Sequence, residues 1–377
     1  MSLHLTPSDG GPDIVYPAVG RYTLSPDGTL LAFNDGYCGG PSYGCGPADA
    51  GIERAARISA GGPVAVGPGS AATFSGGAEV FSPDNSRILY AAQSSSPYPL
   101  VIAKTDGSGS QQLAANINGC SIFGFSPDSQ YALYAVPGTV TCDLLSVPVG
   151  GGSSATVGMN INTNSLGGGC GGLCPGAWLF AGNSVIYIDG LTSFNGTGTL
   201  KVRALGGGAA TTIASNVNRP VYLSSDAGQV VFGVGAAYPS SSLYLSNVTN
   251  PVPRLVGNTG RFGEFSPDGT RVLLYTDCAG NCTLNVLTLS TGTIVVLASD
   301  VGSAKWAPNG QTVAFVTNAQ DGTGTLQFAP ATGGTSTVVA DRAQLLGWIN
   351  SNVLLGRRAG VPAPFSFQNG LYVFPVP

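Results

Sequence analysis

The stretch that decides the fold reads Phe265-Ser266-Pro267-Asp268-Gly269-Thr270-Arg271-Val272-Leu273-Leu274-Tyr275. Proline presets φ for the second position of a type I turn. Aspartate can fold its carboxylate onto nearby backbone N–H groups, and glycine tolerates the positive φ that follows. The apolar run at 272–275 suits a strand. These residues spell a hairpin corner: an aromatic residue ending one strand, a tight turn, and a second strand leaving it.

Outward from this stretch the pattern recurs. Leu24-Ser25-Pro26-Asp27-Gly28, Phe81-Ser82-Pro83-Asp84-Asn85 and Phe125-Ser126-Pro127-Asp128-Ser129 are strong copies, and Trp306-Ala307-Pro308-Asn309-Gly310 is a close variant. Weaker copies begin at Trp178, Leu223 and Trp348. The anchors at 24, 81, 125, 178, 223, 265, 306 and 348 are separated by 57, 44, 53, 45, 42, 41 and 42 residues. Strand-rich units with a period of about 40–45 residues point to propeller blades of four strands. The fold class is therefore read as all-β, a β-propeller of four-stranded antiparallel blades. Eight anchors favour eight blades; seven is the alternative if one weak copy is decoration. In the sixth unit, strands A to D are expected at 262–265, 272–275, 284–289 and 294–298. The last unit shows strands near 345–348, 353–355 and 371–374 and lacks a fourth. Residues 13–19 precede the first anchor without a blade of their own, so they are expected to supply that strand and close the ring, leaving no open edge there. Residues 1–12 read as a leader, either a cloning scar or a trimmed mature start, and 13–377 as a single domain.

The Phe-Ser-Pro-Asp-Gly corner followed by Arg-Val-Leu-Leu-Tyr resembles the TolB-like, WD-repeat-like propeller repeat, also found in the propeller domains of tricorn and prolyl oligopeptidase-type peptidases. The resemblance spans about 20–376, with five strong copies. It implies fold, since proteins sharing this repeat do different work. A TolB-like role in an envelope assembly is the second functional reading. TolB also carries an N-terminal α/β domain, for which nothing before Gly20 has room.

Composition narrows the function classes. Only 9% of the 377 residues are charged, against roughly 25% in a typical soluble domain. A net charge of −4 and an isoelectric point near 4.9 argue against a nucleic-acid partner, and no basic stripe suits anionic lipid. No apolar run reaches the ~18 residues of a membrane-spanning helix, and none reads as a signal peptide, although a removed one fits the leader. The eight cysteines fall as four pairs: Cys38 with Cys45, Cys120 with Cys142, Cys170 with Cys174, and Cys278 with Cys282. These spacings do not reproduce paired C-x₂-C zinc ligands, so disulfides are expected rather than metal, in an oxidising compartment, periplasmic or secreted.

In an up-and-down blade the A–B and C–D turns share one face, and the B–C loops and D–A connections share the other. The short corners fall on the first face. Nearly every long insertion falls on the second: 36–51, 93–98, 160–176, 189–198, 236–241, 277–282, 318–324 and 357–369. The cysteines lie at or near this face as well, and Cys120 and Cys142 are placed to meet. The loops carry Tyr37, Tyr43, Tyr98, Phe194, Tyr238, Phe365 and Phe367, which are candidate contacts for a partner or rings packed onto blade ends. Arg357 and Arg358 could clamp a carboxylate or form a solvated rim pair. Asp35, Asp189 and Asp277 end matching B strands, either capping turns or converging as axial carboxylates.

Catalysis is the minority reading. The one histidine, His4, lies in the leader, and no Gly-x-Ser-x-Gly elbow joins a strand to a helix. A hydrolase or lyase using axial carboxylates is the remaining enzymatic option. The expected function is a non-catalytic, extracytoplasmic propeller, a monomer without metal or cofactor, binding a protein, peptide or glycan through its loop face.

Overall fold

The computed structural model describes residues 2–5, 13–16, 19, 22–35, 51–58, 63–68, 79–92, 97–117, 120, 123–161, 178–191, 197–224, 226–235, 241–278, 280–320, 323–350, 352–358 and 370–375. These residues form two compact units, Met1–Thr211 and Thr212–Pro377. Every described strand pairing is antiparallel between neighbours in sequence, as short turns dictate.

In the first unit β1 (Leu3–Leu5) pairs with β2 (Ile14–Tyr16), so the leader itself contains a strand. Three four-stranded sheets follow: β3 (Tyr22–Leu24) to β6 (Val64–Pro68) through β4 (Leu30–Asp35) and β5 (Ile52–Arg57); β7 (Glu79–Phe81), β8 (Arg87–Ala91), β9 (Leu100–Lys104) and β10 (Ser110–Ala114); and β11 (Phe123–Phe125), β12 (Tyr131–Pro137), β13 (Cys142–Pro148) and β14 (Ala155–Ile161). A fourth repeat contributes β15 (Trp178–Ala181), β16 (Ser184–Asp189) and β17 (Gly198–Ala204). The second unit begins within β18 (Thr211–Leu223), followed by β19 (Gln229–Val234), β20 (Ser242–Asn247) and β21 (Arg254–Gly257). The sixth repeat is β22 (Gly260–Phe265), β23 (Arg271–Thr276), β24 (Cys282–Thr288) and β25 (Ile294–Trp306). The rest is β26 (Thr312–Gln320), β27 (Thr323–Pro330), β28 (Thr337–Asn350), β29 (Val353–Arg358) and β30 (Gly370–Pro375).

The sixth repeat begins its first three strands one or two residues before the sequence expectation, but its fourth does not end at 298. β25 pairs with β24 up to Val301 and with β26 from Val301 to Trp306, so one bent strand is both the last of its repeat and the first of the next. β28 does the same between β27 and β29. Shared strands merge β22–β30 into one nine-stranded sheet. The last repeat ends at β30, as the pattern of three strands anticipated.

The corner is one hydrogen-bonded device repeated. In the first copy Ser25 Oγ donates to Asp27 Oδ1 at 2.6 Å, and the Thr29 N–H donates to the same oxygen at 3.0 Å. The Leu30 N–H then donates to Ser25 Oγ at 2.9 Å, and the Gly28 N–H to the Ser25 carbonyl at 2.9 Å. The serine–aspartate bond recurs at 2.5–2.6 Å from Ser82 to Asp84, Ser126 to Asp128, Ser224 to Asp226 and Ser266 to Asp268. The Leu223 copy, weak in sequence, is thus a full corner. Asn309 does the work of the aspartate in its copy, accepting from the Gln311 N–H at 2.9 Å. The residue after the acidic position takes a left-handed φ of 55–70° whether it is Gly28, Asn85, Ser129, Ala227, Gly269 or Gly310.

Packing between successive sheets follows the anchors. Phe81, Phe125, Trp178 and Trp306 are buried in clusters joining neighbouring repeats, and Phe265 and Trp348 pack against such clusters. Leu24 departs from this expectation at 53% exposed. A second buried set, not foreseen in the sequence, occupies the fourth residue of the strand after every corner but the last: Phe33, Tyr90, Tyr134, Tyr187, Phe232, Leu274 and Phe315, all at most 1% exposed. Burying each such side chain stabilises by roughly 1.5–3 kcal/mol. Tyr134 and Tyr187 also donate their hydroxyls to carbonyls of the preceding sheet, Leu113 at 3.3 Å and Val157 at 2.7 Å. Burial pushes the Tyr187 phenol up to about 12, so that donor keeps its proton.

Two outcomes follow from the corners. Ala227→Gly relieves a left-handed alanine at φ 55° and should raise unfolding free energy by about 1 kcal/mol in chemical denaturation. The Asp27, Asp128, Asp226 and Asp268 carboxyls are held below their ordinary 3.8 chiefly by the serine hydroxyl; at Asp84 burial, the largest influence, opposes but is outweighed by its hydrogen bonds. Lowered carboxylates stabilise above the unfolded value and lose that contribution as pH falls through the folded one. Thermal midpoints should therefore drop on acidification below pH 3.8, and replacing the five aspartates by asparagine should flatten that drop.

Candidate functional site

Opposite the corners, the described residues include several points where one strand hands over to the next, beside the ends of B–C loops. Polar residues at the hand-over fasten the loop. Asn160, at φ 49°, accepts at Oδ1 from the Val140 N–H at 2.9 Å and from Thr139 Oγ1 at 3.1 Å. Asp300, at φ 58°, accepts from Asn281 Nδ2 at 2.7 Å, and Asn116 Oδ1 accepts from the Tyr98 N–H at 3.2 Å. Asn216, at φ 56°, receives the Gly235 N–H on its carbonyl at 2.9 Å. Arg342 takes the same left-handed bend, at φ 48°. Asn and Asp visit this region more readily than other side chains, and a short polar side chain there can satisfy loop backbone.

Two disulfides reinforce this end. Cys120, just before β11, joins Cys142 at the head of β13 with Cα atoms 5.9 Å apart, and Cys278 joins Cys282 across its loop with Cα atoms 4.2 Å apart. Cys120, Cys142 and Cys282 are buried. The other two expected bonds, from Cys38 to Cys45 and from Cys170 to Cys174, are not among the disulfides of the described residues, because Cys38, Cys45, Cys170 and Cys174 all lie outside them. Tyr37, Tyr43, Phe194, Tyr238, Phe365 and Phe367 lie outside the described residues as well.

The other sequence candidates are placed individually. Tyr98 is half-buried and packs against the core shared by the second and third repeats. Asp35 forms an ion pair with Arg54 Nε at 2.5 Å, and Asp189 one with Lys201 Nζ at 3.0 Å, each with a residue of the next strand. Asp277 caps its turn: Oδ2 accepts from Thr276 Oγ1 at 3.2 Å and its N–H donates to the Thr259 carbonyl at 3.0 Å. Arg358 pairs with Asp341 Oδ1 at 2.5 Å and lies 5.8 Å from the Tyr372 ring, while Arg357 is exposed. Adjacent residues on a strand point to opposite faces, so the two arginines do not form one clamp.

Several polar groups escaped the sequence reading. Glu53 is 0% exposed and Glu79 4%, in register with Asn34 and Tyr90 respectively. No motif marks either glutamate; each is an isolated acid in a strand. Tyr90 is raised in pKa by burial, then by the charge on Glu53. The hand-over residues did leave a trace: positions 300 and 342 are 42 apart, the same interval that separates the corners at 306 and 348.

The corner end holds the described clefts. One of about 580 Å³ lies between the first and second repeats, lined by Asp27, Arg57, Asp84, Asn85 and Asp106 together with Leu30 and Val64. A smaller one, about 200 Å³, lies at the matching place between the fifth and sixth repeats and is lined by Asp226, Asp268 and Ser290.

No protein-family model matches the chain, and no curated protein matches it. Solved structures do. A eukaryotic initiation factor superposes with a TM-score of 0.54 at 12% identity, covering 90% of this chain and 84% of that one. TolB from Acinetobacter baumannii gives 0.33 at 18% identity over 66% and 62% of the two chains, and a prolyl endopeptidase 0.38 at 10% identity over 92% and 55%. The chain is structurally similar to β-propeller proteins, and at these identities the likeness is one of fold.

The fastening of loops by hand-over residues is testable at Asn160. Asn160→Gly keeps the left-handed bend but removes the acceptor, so the Val140 amide should lose hydrogen-exchange protection equivalent to about 1 kcal/mol; Asn160→Asp should retain it.

Proposed function

We propose that this chain is a non-catalytic binding module of the propeller type that engages a protein, peptide or glycan partner with its B–C loops and strand hand-overs. The observation that carries this reading is the fastening of that end: Asn160, Asp300, Asn116 and Asn216 each tie a hand-over to a loop, and two disulfides join the same region. Loops held in place before a partner arrives lose less conformational freedom on binding. The candidate carboxylates support binding over catalysis, because Asp35 and Asp189 are each engaged by a neighbouring cation.

The finer architecture belongs to the same proposal. Eight repeats are the blades, and residues 13–19 complete the last one. The disulfides fit an extracytoplasmic, periplasmic or secreted setting.

Immobilised glycan and peptide libraries, followed by the purified hit in calorimetry, test the functional reading. Replacing Tyr43, Tyr98 and Tyr238 together with alanine should abolish retention while the thermal midpoint stays close to the parent. Undiminished affinity in the triple variant would reject the loop end as the binding surface.

A further inference from the structure

The two disulfides among the described residues differ in access and in span. Cys120 and Cys142 are separated by 22 residues in the chain, and both are buried at 4% exposed. Cys278 and Cys282 are separated by 4; Cys282 is 3% exposed, whereas Cys278 is only half-buried. Exchange begins when an outside thiolate reaches a disulfide sulfur, so access decides which bond reacts. Of these four cysteines, Cys278 is the one that is not buried.

The short bond also lies outside the ladder it borders. Pairing of β23 with β24 reaches Thr276 opposite Thr283, and the bond joins residues at or beyond that pair. Opening it breaks no pair of this ladder. A bond of so short a span also constrains the unfolded chain less than one spanning 22 residues, so less of the fold's stability depends on it.

What the short bond holds in place is Asn281, the residue before Cys282. Asn281 Nδ2 donates to Asp300 Oδ1 at 2.7 Å and to the Ala319 carbonyl at 3.4 Å. Asp300 sits at the bend of β25 and Ala319 near the end of β26, so one side chain ties the loop to two strands. A Cβ added at Gly302 would lie 2.6 Å from the Ala319 Cβ and 3.4 Å from Asn281 Oδ1. The three segments therefore meet at close range, and a shift of Asn281 is felt in both strands.

We propose that the bond between Cys278 and Cys282 is an exchangeable clasp, opened at Cys278 by a low-molecular-weight dithiol, which releases Asn281 from Asp300 and Ala319. A thiolate of the dithiol attacks Cys278 Sγ, the S–S bond breaks, and Cys282 leaves as a thiolate that takes up a proton. The second sulfur of the dithiol then displaces Cys278, likewise protonated on leaving, and closes the reagent into a cyclic disulfide. The protein gains the two electrons that the dithiol loses. The bond between Cys120 and Cys142 stays closed.

Timed exposure of the full chain to dithiothreitol tests this, with samples acid-quenched, alkylated in denaturant and read by peptide mass spectrometry. Cys278 and Cys282 should be labelled while Cys120 and Cys142 remain protected. At that stage amide exchange should quicken in peptides covering 280–283 and 300–302, with the thermal midpoint close to that of the oxidised chain. Asn281→Ala, kept oxidised, should quicken exchange at 300–302 to the same degree. The double variant Cys278→Ser with Cys282→Ser should exchange there as the opened chain does, with or without dithiothreitol. Labelling of Cys120 and Cys142 as early as the other pair, unchanged exchange at 300–302 on opening, or parent-like exchange in Asn281→Ala would overturn the proposal. None of these results bears on the partner reading, which the tyrosine variant tests separately.

Discussion

One hydroxyl–carboxylate bond organises five of the repeats, those whose corners hold Ser25, Ser82, Ser126, Ser224 and Ser266. The serine oxygen of the corner donates to the aspartate two residues later and accepts the N–H of the first residue of the next strand. That double role sets where the second strand begins, and so its register against the first. Register decides which residues face the neighbouring sheet, because a slip of one residue would turn the whole strand over. The buried residues Phe33, Tyr90, Tyr134, Phe232 and Leu274 sit at one fixed distance from their corners for this reason, and Tyr187 and Phe315 keep the same spacing after corners without the serine. Where the serine is replaced by Ala307, the backbone bonds of the turn remain: the Ala307 N–H donates to the Thr312 carbonyl and the Gly310 N–H to the Ala307 carbonyl, both at 2.8 Å.

The chain is poor in charge, and the position of each charge is correspondingly informative. Carboxylates cluster at the corner end, held ionised by serine hydroxyls and backbone N–H groups. At the other end the fastening groups mix amides, Asn160 and Asn116, with carboxylates, Asp143, Asp277 and Asp300. A surface organised by amides, turns and disulfides can hold loops firmly without a strong field, which suits recognition by shape and hydrogen bonding. The two ends thus differ in chemistry because different residue types do the structural work at each.

Much of the architecture was legible in the sequence. The corners, the spacing of the repeats, the three strands of the last unit and the bonds from Cys120 to Cys142 and from Cys278 to Cys282 all follow from local turn chemistry and periodicity. The shared strands β25 and β28 were not legible: a left-handed residue at Asp300 or Arg342 bends a strand without ending it, and although Gly302 follows the first bend, no Gly or Pro stands beside the second. The strength of the corner at Leu223 was also hidden, because the turn needs Ser224 and Asp226 but not the proline between them. Of the candidate site, Asp35 and Asp189 were found as residues but not in their roles, since Arg54 and Lys201 reach them only once the neighbouring strand is in place.

The amino-acid sequence by itself determined the local elements: where turns form, which residues flank them, and which strands follow one another, because these depend on groups within five residues of each other. Tertiary structure alone decided which groups from separate repeats meet. Asp27, Asp84 and Asp106 lie up to 79 residues apart in the chain and line one cleft only because two sheets pack side by side. Burial of Glu53 and Glu79 was settled at the same level. A carboxylate's sequence neighbours do not report the sheet that packs against it.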